Sequence, residues 1–124
     1  MLLIIDNSSL VAERLIDLLT EQRNIGAIAK VANGSEANAI LKQVIPDIIL
    51  LDMRLPDINS LELLTELRVK YPSIRFIVTS DESNDVYRDI CEKKGAAFFV
   101  NKADEFQKIP GLIKKIRKRE LEAC

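Results

Sequence analysis

Four apolar runs in this sequence stop on side chains that handle hard metal ions or oxyanions. "LLII" is followed by Asp6 and Asn7, "IILL" by Asp52, "RFIV" by Thr79 and Ser80, and "AAFFV" by Asn101 and Lys102. Carboxylates, an amide, a hydroxyl and an ammonium brought into one cleft would suit an oxyanion held by a divalent metal. Magnesium takes one or two carboxylates and completes its octahedron with water and substrate phosphate. A carboxylate beside it is itself a nucleophile toward a phosphoryl group and gives an aspartyl phosphate. Phosphoryl transfer asks mainly for positioning and charge neutralisation, so an ionised nucleophile needs no general base. The chain contains no histidine, and this chemistry does not require one.

These residues meet only if the elements that carry them run side by side in the same direction. Apolar runs alternate with longer helical patterns from end to end, without repeats or low-complexity segments. The pattern predicts strands over residues 2–5, 26–31, 47–51, 74–79 and 97–100. Helices are expected over 9–22, 35–44, 61–70 and 84–94, and a last one from near Pro110. Ser8 or Ser9 can cap the first helix, which sets Leu10, Ile16, Leu18 and Leu19 among charged residues. The second should carry Ala37, Ile40, Leu41 and Val44 inward, with Pro46 ending it. The third presents Leu61, Leu64, Leu67 and the stem of Arg68, and Pro72 stops it. Gly95 stands where the fourth helix needs a left-handed terminating residue, and Pro110 suits a first turn. "DIILLD" and "IRFIVTS" are nearly continuous apolar runs rather than alternating ones, which implies strands covered on both faces and hence an α/β fold with a parallel sheet. In open sheets of this kind ligands collect outside the carboxyl ends of the strands.

Composition narrows the classes. A chain of 124 residues suits one domain, here expected over 1–124, with enough core to fold without metals or disulfides. The 18 basic and 19 acidic residues leave a net charge of −1, which gives no long-range attraction to nucleic acid or anionic lipid. Cys91 and Cys124 lie far apart, with no CxxC pairing, so a reducing cytoplasm is the expected compartment. The N-terminal "LLII" is too short for a signal-peptide core or a membrane span.

With these stretches in place the sequence resembles the response-regulator receiver domain of two-component signalling along essentially its whole length. "LLIIDNS", "PDIILLDMRLPD", "RFIVTS" and "GAAFFVNK" are similar to the family's first, third, fourth and fifth strands with their following loops. The resemblance implies a doubly wound, flavodoxin-like sheet of five parallel strands in the order 2-1-3-4-5 with five helices. It implies that Asp52 is the phosphoacceptor, served by a histidine kinase or phosphotransfer protein. Magnesium would be held by Asp6, Asp52 and the backbone carbonyl of Arg54, with Asn7 at a further ligand position. Thr79 would hydrogen-bond the phosphoryl oxygens and Lys102 would pair with them. Phe99 occupies the position of the aromatic switch that turns inward as Thr79 moves. A downstream protein would dock on the face made by the fourth helix, fifth strand and fifth helix. The chain would then be a phosphoacceptor rather than an enzyme with turnover.

Several positions depart from the family's pattern. Asn7 replaces the usual second acid of the first strand, so Asp6, Asp52 and Lys102 sum to −1, where an acid would give −2. Like charges converging within ~4–6 Å interact by about 1 kcal/mol or more at a protein-like dielectric. Asn7 therefore relieves repulsion without metal and raises the magnesium requirement. Ser60 stands where glycine is usual, which costs about 1 kcal/mol if the backbone there must be left-handed. Ala103 follows Lys102 where a cis proline is common, which predicts a less fixed loop. Arg54 and Asp81, each two residues past a site residue, have opposite charges and are expected to pair across the mouth of the pocket.

Plainer readings stand beside these. Taken singly, Asp6 and Asp52 are helix or turn caps, Thr79 an ordinary strand residue and Lys102 a solvated lysine. Strand alternation keeps Phe98 and Phe99 from facing the same way. "KKIRKRELEAC" reads as the solvated face of the last helix, including Lys114, Lys115, Arg117, Lys118 and Arg119, rather than as a nucleic-acid surface. Cys91 reads as a small, partly buried helix residue. The main competing function is a pseudo-receiver that binds partners independently of phosphorylation. An aspartyl phosphatase lacks its second acid, since Arg54 stands there, and a flavin carrier lacks aromatic residues and a glycine loop.

Overall fold

Parallel pairing arranges five strands in one sheet of order β2-β1-β3-β4-β5. In this computed structural model the described residues are 1–23, 25–81 and 85–123, with side chains described through Glu120. The elements follow in the order β1 (Leu2–Ile5), α1 (Ser9–Thr20), β2 (Ile28–Val31), α2 (Gly34–Leu41), β3 (Ile48–Asp52), α3 (Ser60–Lys70), β4 (Arg75–Ser80), α4 (Asp85–Lys93) and β5 (Phe98–Asn101). A 3₁₀ turn, Phe106–Lys108, leads into α5 (Ile109–Ala123). The flavodoxin-like expectation therefore holds in strand order and helix number. The expected helix start at Asn84 and the expectation for Cys124 lie outside the described residues.

The continuous apolar runs are the central strands. Every residue of β1 and β3 is buried, as are Phe76 to Ser80 of β4. Alternation along each strand divides the core in two. Leu3, Ile5, Ile49, Leu51, Phe76, Val78 and Phe99 pack with α2, α3 and Cys91 of α4. Leu2, Ile4, Ile48, Leu50, Ile77 and Val100 pack with α1 and α5. Full burial of such side chains stabilises by about 1.5–3 kcal/mol each, which fixes the register that brings the strand ends level.

Caps and turns place the helices. Ser8 caps α1 by accepting from the Val11 N–H at 3.2 Å, and Asn33 caps α2 by accepting from Glu36 at 2.8 Å. Asn59 caps α3 by accepting from Leu61 and Glu62. Gly95 has φ +105, the left-handed conformation that ends α4.

Some inward assignments change. Leu10 is 64% exposed, because α1 buries Ala12, Leu15 and Leu19, and a residue two places before Ala12 lies about 200° around the helix. Val44 is exposed because α2 ends at Leu41, so it sits outside the helical phase. Cys91 is fully rather than partly buried, with its thiol 3.7 Å from the Met53 sulfur. Arg117 leaves the solvated face: its Nε donates to Asp47 at 2.8 Å and its Nη1 to the Ile25 carbonyl at 2.7 Å. Lys114, Lys115, Lys118 and Arg119 remain exposed.

Candidate phosphoacceptor site

Lys102 joins the ends of three strands. Its ammonium donates to Asp6 Oδ2 at 2.8 Å and to Asp52 Oδ1 at 3.0 Å. The Lys102 side chain is only 8% exposed and those of Asp6 and Asp52 are 2% and 9%. Residues 96 and 50 positions apart are thus brought into one buried triad at the carboxyl rim of the sheet. Thr79 lies directly opposite Asp52 in the β3–β4 register and is buried, as is Ser80 beside it. The Ser80 carbonyl accepts from the Lys102 N–H at 2.8 Å, which sets the base of the lysine against the end of β4.

Two carboxylates share a single cation, and the electrostatics follow. Burial raises the pKa of Asp52 above the ordinary 3.8, and the charge of Asp6 adds to this. Lys102 and the Arg54 backbone N–H oppose the rise only in part. Burial alone would lower the Lys102 pKa, but its hydrogen bonds and charge contacts with Asp6 and Asp52 outweigh it, so the ammonium is held above its usual value. Asp6, Asp52 and Lys102 together carry a formal charge of −1, which favours an added positive ion.

The donor set fits magnesium in kind. Asp6 and Asp52 supply carboxylate oxygens, within that ion's usual requirement. Asp6 also accepts from the Ser8 N–H at 2.9 Å through Oδ1, which orients its carboxyl. Asn7 is exposed and, with Asp6, lines a cavity shared with Lys30 and Glu36. Among the described residues, no group of three or more His, Cys, Asp or Glu side chains is placed to hold a metal.

Two departures from the family pattern, Ser60 and Ala103, are accommodated locally. Ser60 opens α3 in right-handed backbone, so the left-handed penalty does not arise, and its hydroxyl donates to the Asp52 carbonyl at 2.6 Å. The loop after Lys102 is tied down without a proline. Asn101 Oδ1 accepts from the Ala103 N–H at 2.8 Å, and the Glu105 N–H donates to the Asn101 carbonyl at 2.8 Å. The expected pairing of Arg54 with Asp81 is absent from the ion pairs of the described residues. Arg54 lines a cleft with Met53, Ser80 and Tyr87, whereas Asp81 lines another with Arg14 and Lys102.

Phe99 is buried on the face covered by α2, α3 and α4, while Phe98 packs partly against the opposite cluster. It pairs with Val78, and Thr79 pairs with Val100, so Thr79 and Phe99 are linked through adjacent rungs of one ladder. Side chains that no sequence pattern singles out surround it. Arg88 lies over the Phe99 ring at 5.0 Å, donates to the Phe99 carbonyl at 3.0 Å and reaches Glu105 at 2.7 Å. Glu105 also accepts from the Asn101 N–H at 3.1 Å, and the bond from Arg88 is the main reason its pKa falls to about 2. Asp57 is likewise singled out by no sequence pattern. Its two oxygens accept from the Gly34 and Ser35 N–H groups, both at 2.9 Å, and staple the loop after Asp52 to the start of α2. No spacing rule pairs these residues; only Asn101 and Glu105, four apart, carried a local hint.

Comparison with known proteins bears on the family and the fold. The family model described as the response regulator receiver domain matches residues 2–117. The chemotaxis protein CheY of Listeria monocytogenes is 28% identical, with 94% of this chain and 98% of that protein covered. A nitrate/nitrite response regulator protein homolog of Haemophilus influenzae is 29% identical over 96% of this chain and 57% of its own length. The chain spans 38% to 57% of the first longer relatives it matches. In fold, the signal receiver domain of a DNA-binding response regulator from Colwellia psychrerythraea superposes with a TM-score of 0.86 at 20% identity, covering 94% of this chain and 97% of that one. With the strand order, the rim triad and the family match in agreement, the chain belongs to the response regulator receiver domain family.

Proposed function

We propose that the chain accepts a phosphoryl group on Asp52 from a histidine kinase or phosphotransfer protein and so changes its contacts with a downstream protein. The observation that carries this reading is the Lys102 bridge between Asp6 and Asp52, a cation buried where two strand-end carboxylates converge. In the transfer, a carboxylate oxygen of Asp52 bonds to phosphorus as the bond from phosphorus to the donor's imidazole nitrogen breaks, and the imidazole keeps the electron pair. Lys102 pairs with the oxygens of the incoming group, and the Thr79 hydroxyl supplies a hydrogen bond from the facing strand. Asp6, Asp52 and the Arg54 carbonyl would hold magnesium, with Asn7 a weak neutral ligand. Magnesium, when bound, supplies charge against the phosphoryl oxygens. Repacking of α4 and β5 around Phe99 then alters the face formed by α4, β5 and α5. Such a switch is a local charge event biasing a two-state element. The chain acts as an acceptor, not as an enzyme with turnover, and the cytoplasm suits it. Among the described residues no helix is long and apolar enough to cross a membrane.

Acetyl phosphate with magnesium tests the reading by intact mass. The chain should gain one phosphoryl group, and Asp52→Asn should gain none. A wild-type chain that gains none would instead be a binding module independent of phosphorylation.

A further inference from the structure

Ser60 is fully inside the protein, 3% exposed, at a place where burying a hydroxyl needs a partner. That partner is the main-chain carbonyl of Asp52, 2.6 Å away. Asp52 is the last residue of β3, and the β1–β3 register ends one residue earlier, at Ile5↔Leu51. On that side β1 offers no residue opposite Asp52. On the other side the ladder continues, with Asp52 opposite Thr79, and the Met53 N–H donates to the Thr79 carbonyl at 2.9 Å.

The Asp52 carbonyl and the Met53 N–H belong to one planar peptide. That plane is pinned at both ends, its N–H by β4 and its carbonyl by the Ser60 hydroxyl. Pinning the plane sets ψ of Asp52, and with it the backbone from which the acceptor carboxylate hangs. Ser60 is also the first residue of α3, behind the Asn59 cap, so the same bond ties the start of that helix to the end of β3. A glycine or alanine at position 60 would leave the carbonyl without this donor.

We propose that Ser60 is a positioning residue for phosphoryl transfer: its hydroxyl holds the Asp52–Met53 peptide in the orientation that presents the acceptor carboxylate. The inference rests on the reading of Asp52 as phosphoacceptor. It makes Ser60 a functional part of the site rather than a tolerated replacement for a small residue.

The test uses the full chain, ¹⁵N-labelled, as wild type, Ser60→Ala and Ser60→Thr. Two readouts are taken: the initial rate of phosphorylation by acetyl phosphate with magnesium, and the Met53 amide nitrogen shift, which reports hydrogen bonding to the preceding carbonyl. Ser60→Ala should move the Met53 nitrogen upfield while amides of β1 and β2 stay in place. Its phosphorylation rate should fall by about three- to tenfold, as loss of one buried positioning bond implies. Ser60→Thr, which keeps the hydroxyl, should restore both. If Ser60→Ala moves the Met53 signal yet is phosphorylated as fast as wild type, the positioning role is wrong while the acceptor reading stands. If Ser60→Ala disturbs amides throughout the sheet, the alcohol is a general structural bond and the proposal is likewise overturned. A wild-type chain that takes no phosphoryl group overturns the acceptor reading, and this inference with it.

Discussion

Asn7 is exposed beside Asp6 and leaves the rim with one carboxylate fewer than an acid at that position would give. Asp6 and Asp52 already share one lysine, and burial together with the Asp6 charge raises the pKa of Asp52. A third carboxylate would deepen that imbalance without metal and relieve it with metal. Asn7→Asp should therefore tighten magnesium binding by about fivefold or more, given about 1 kcal/mol or more for a carboxylate charge added at this range. Magnesium titration followed by the amide signals of residues 6, 7 and 52 measures it, and equal affinities for the two proteins would contradict the account. The raised pKa values also have stability consequences. Lys102 contributes stability that is fully present below its ordinary pKa of 10.5 and is lost as pH rises through its higher folded value. Asp52 has the same sign: its raised pKa favours the folded state where it is protonated, and that contribution is gone once pH exceeds the folded value. The candidate acids and the lysine were legible in the sequence because buried parallel strands must deliver their terminal residues to one rim. The bond from Ser60 to Asp52 was not, since it depends on how α3 turns back onto β3, which no local pattern records.

At the scale of elements, α4 is fastened to β5 and its following loop by Arg88 and Glu105. Arg88 covers the Phe99 ring and holds the Phe99 carbonyl, and Glu105 receives both Arg88 and the Asn101 N–H. The pKa of Glu105 is lowered to about 2 from 4.5, chiefly by the Arg88 hydrogen bond. For a carboxylate lowered on folding, the contribution is complete above 4.5 and is lost as pH falls through about 2. Amide exchange at Asn101 and in residues 85–93 should therefore speed up as pH falls across that window, after correction for intrinsic rates. Glu105→Gln should show the faster exchange already at neutral pH and a flatter acid response. Identical protection in the two proteins would show that the clasp is not made in solution. Helix positions followed the apolar spacing, and the strand runs followed burial on two faces. The errors were in phase and at ends. Leu10 pointed outward because Ala12, a small residue, marks the buried stripe, and Val44 fell beyond the end of α2. Arg117, set among lysines, looked like surface charge; only the approach of α5 to Asp47 and Ile25 made it a clasp.

For the whole molecule, the sheet carries the link between site and surface. Asp52 faces Thr79 across β3 and β4, Thr79 and Val78 face Val100 and Phe99 across β4 and β5, and Arg88 carries the contact from Phe99 into α4. Interdigitated cores resist gradual deformation, so a charge change at Asp52 has a packed route along adjacent rungs to the α4, β5 and α5 face. Phosphorylation of Asp52 should therefore be felt there. Amide spectra of the ¹⁵N-labelled chain, recorded with magnesium before and after addition of acetyl phosphate, test it most directly. Shifts are expected at Asp52, Thr79 and Lys102 that continue through residues 85–93 and 98–101, and none in Asp52→Asn. Shifts confined to the rim, or unchanged spectra in a chain that has gained its phosphoryl group, would contradict it.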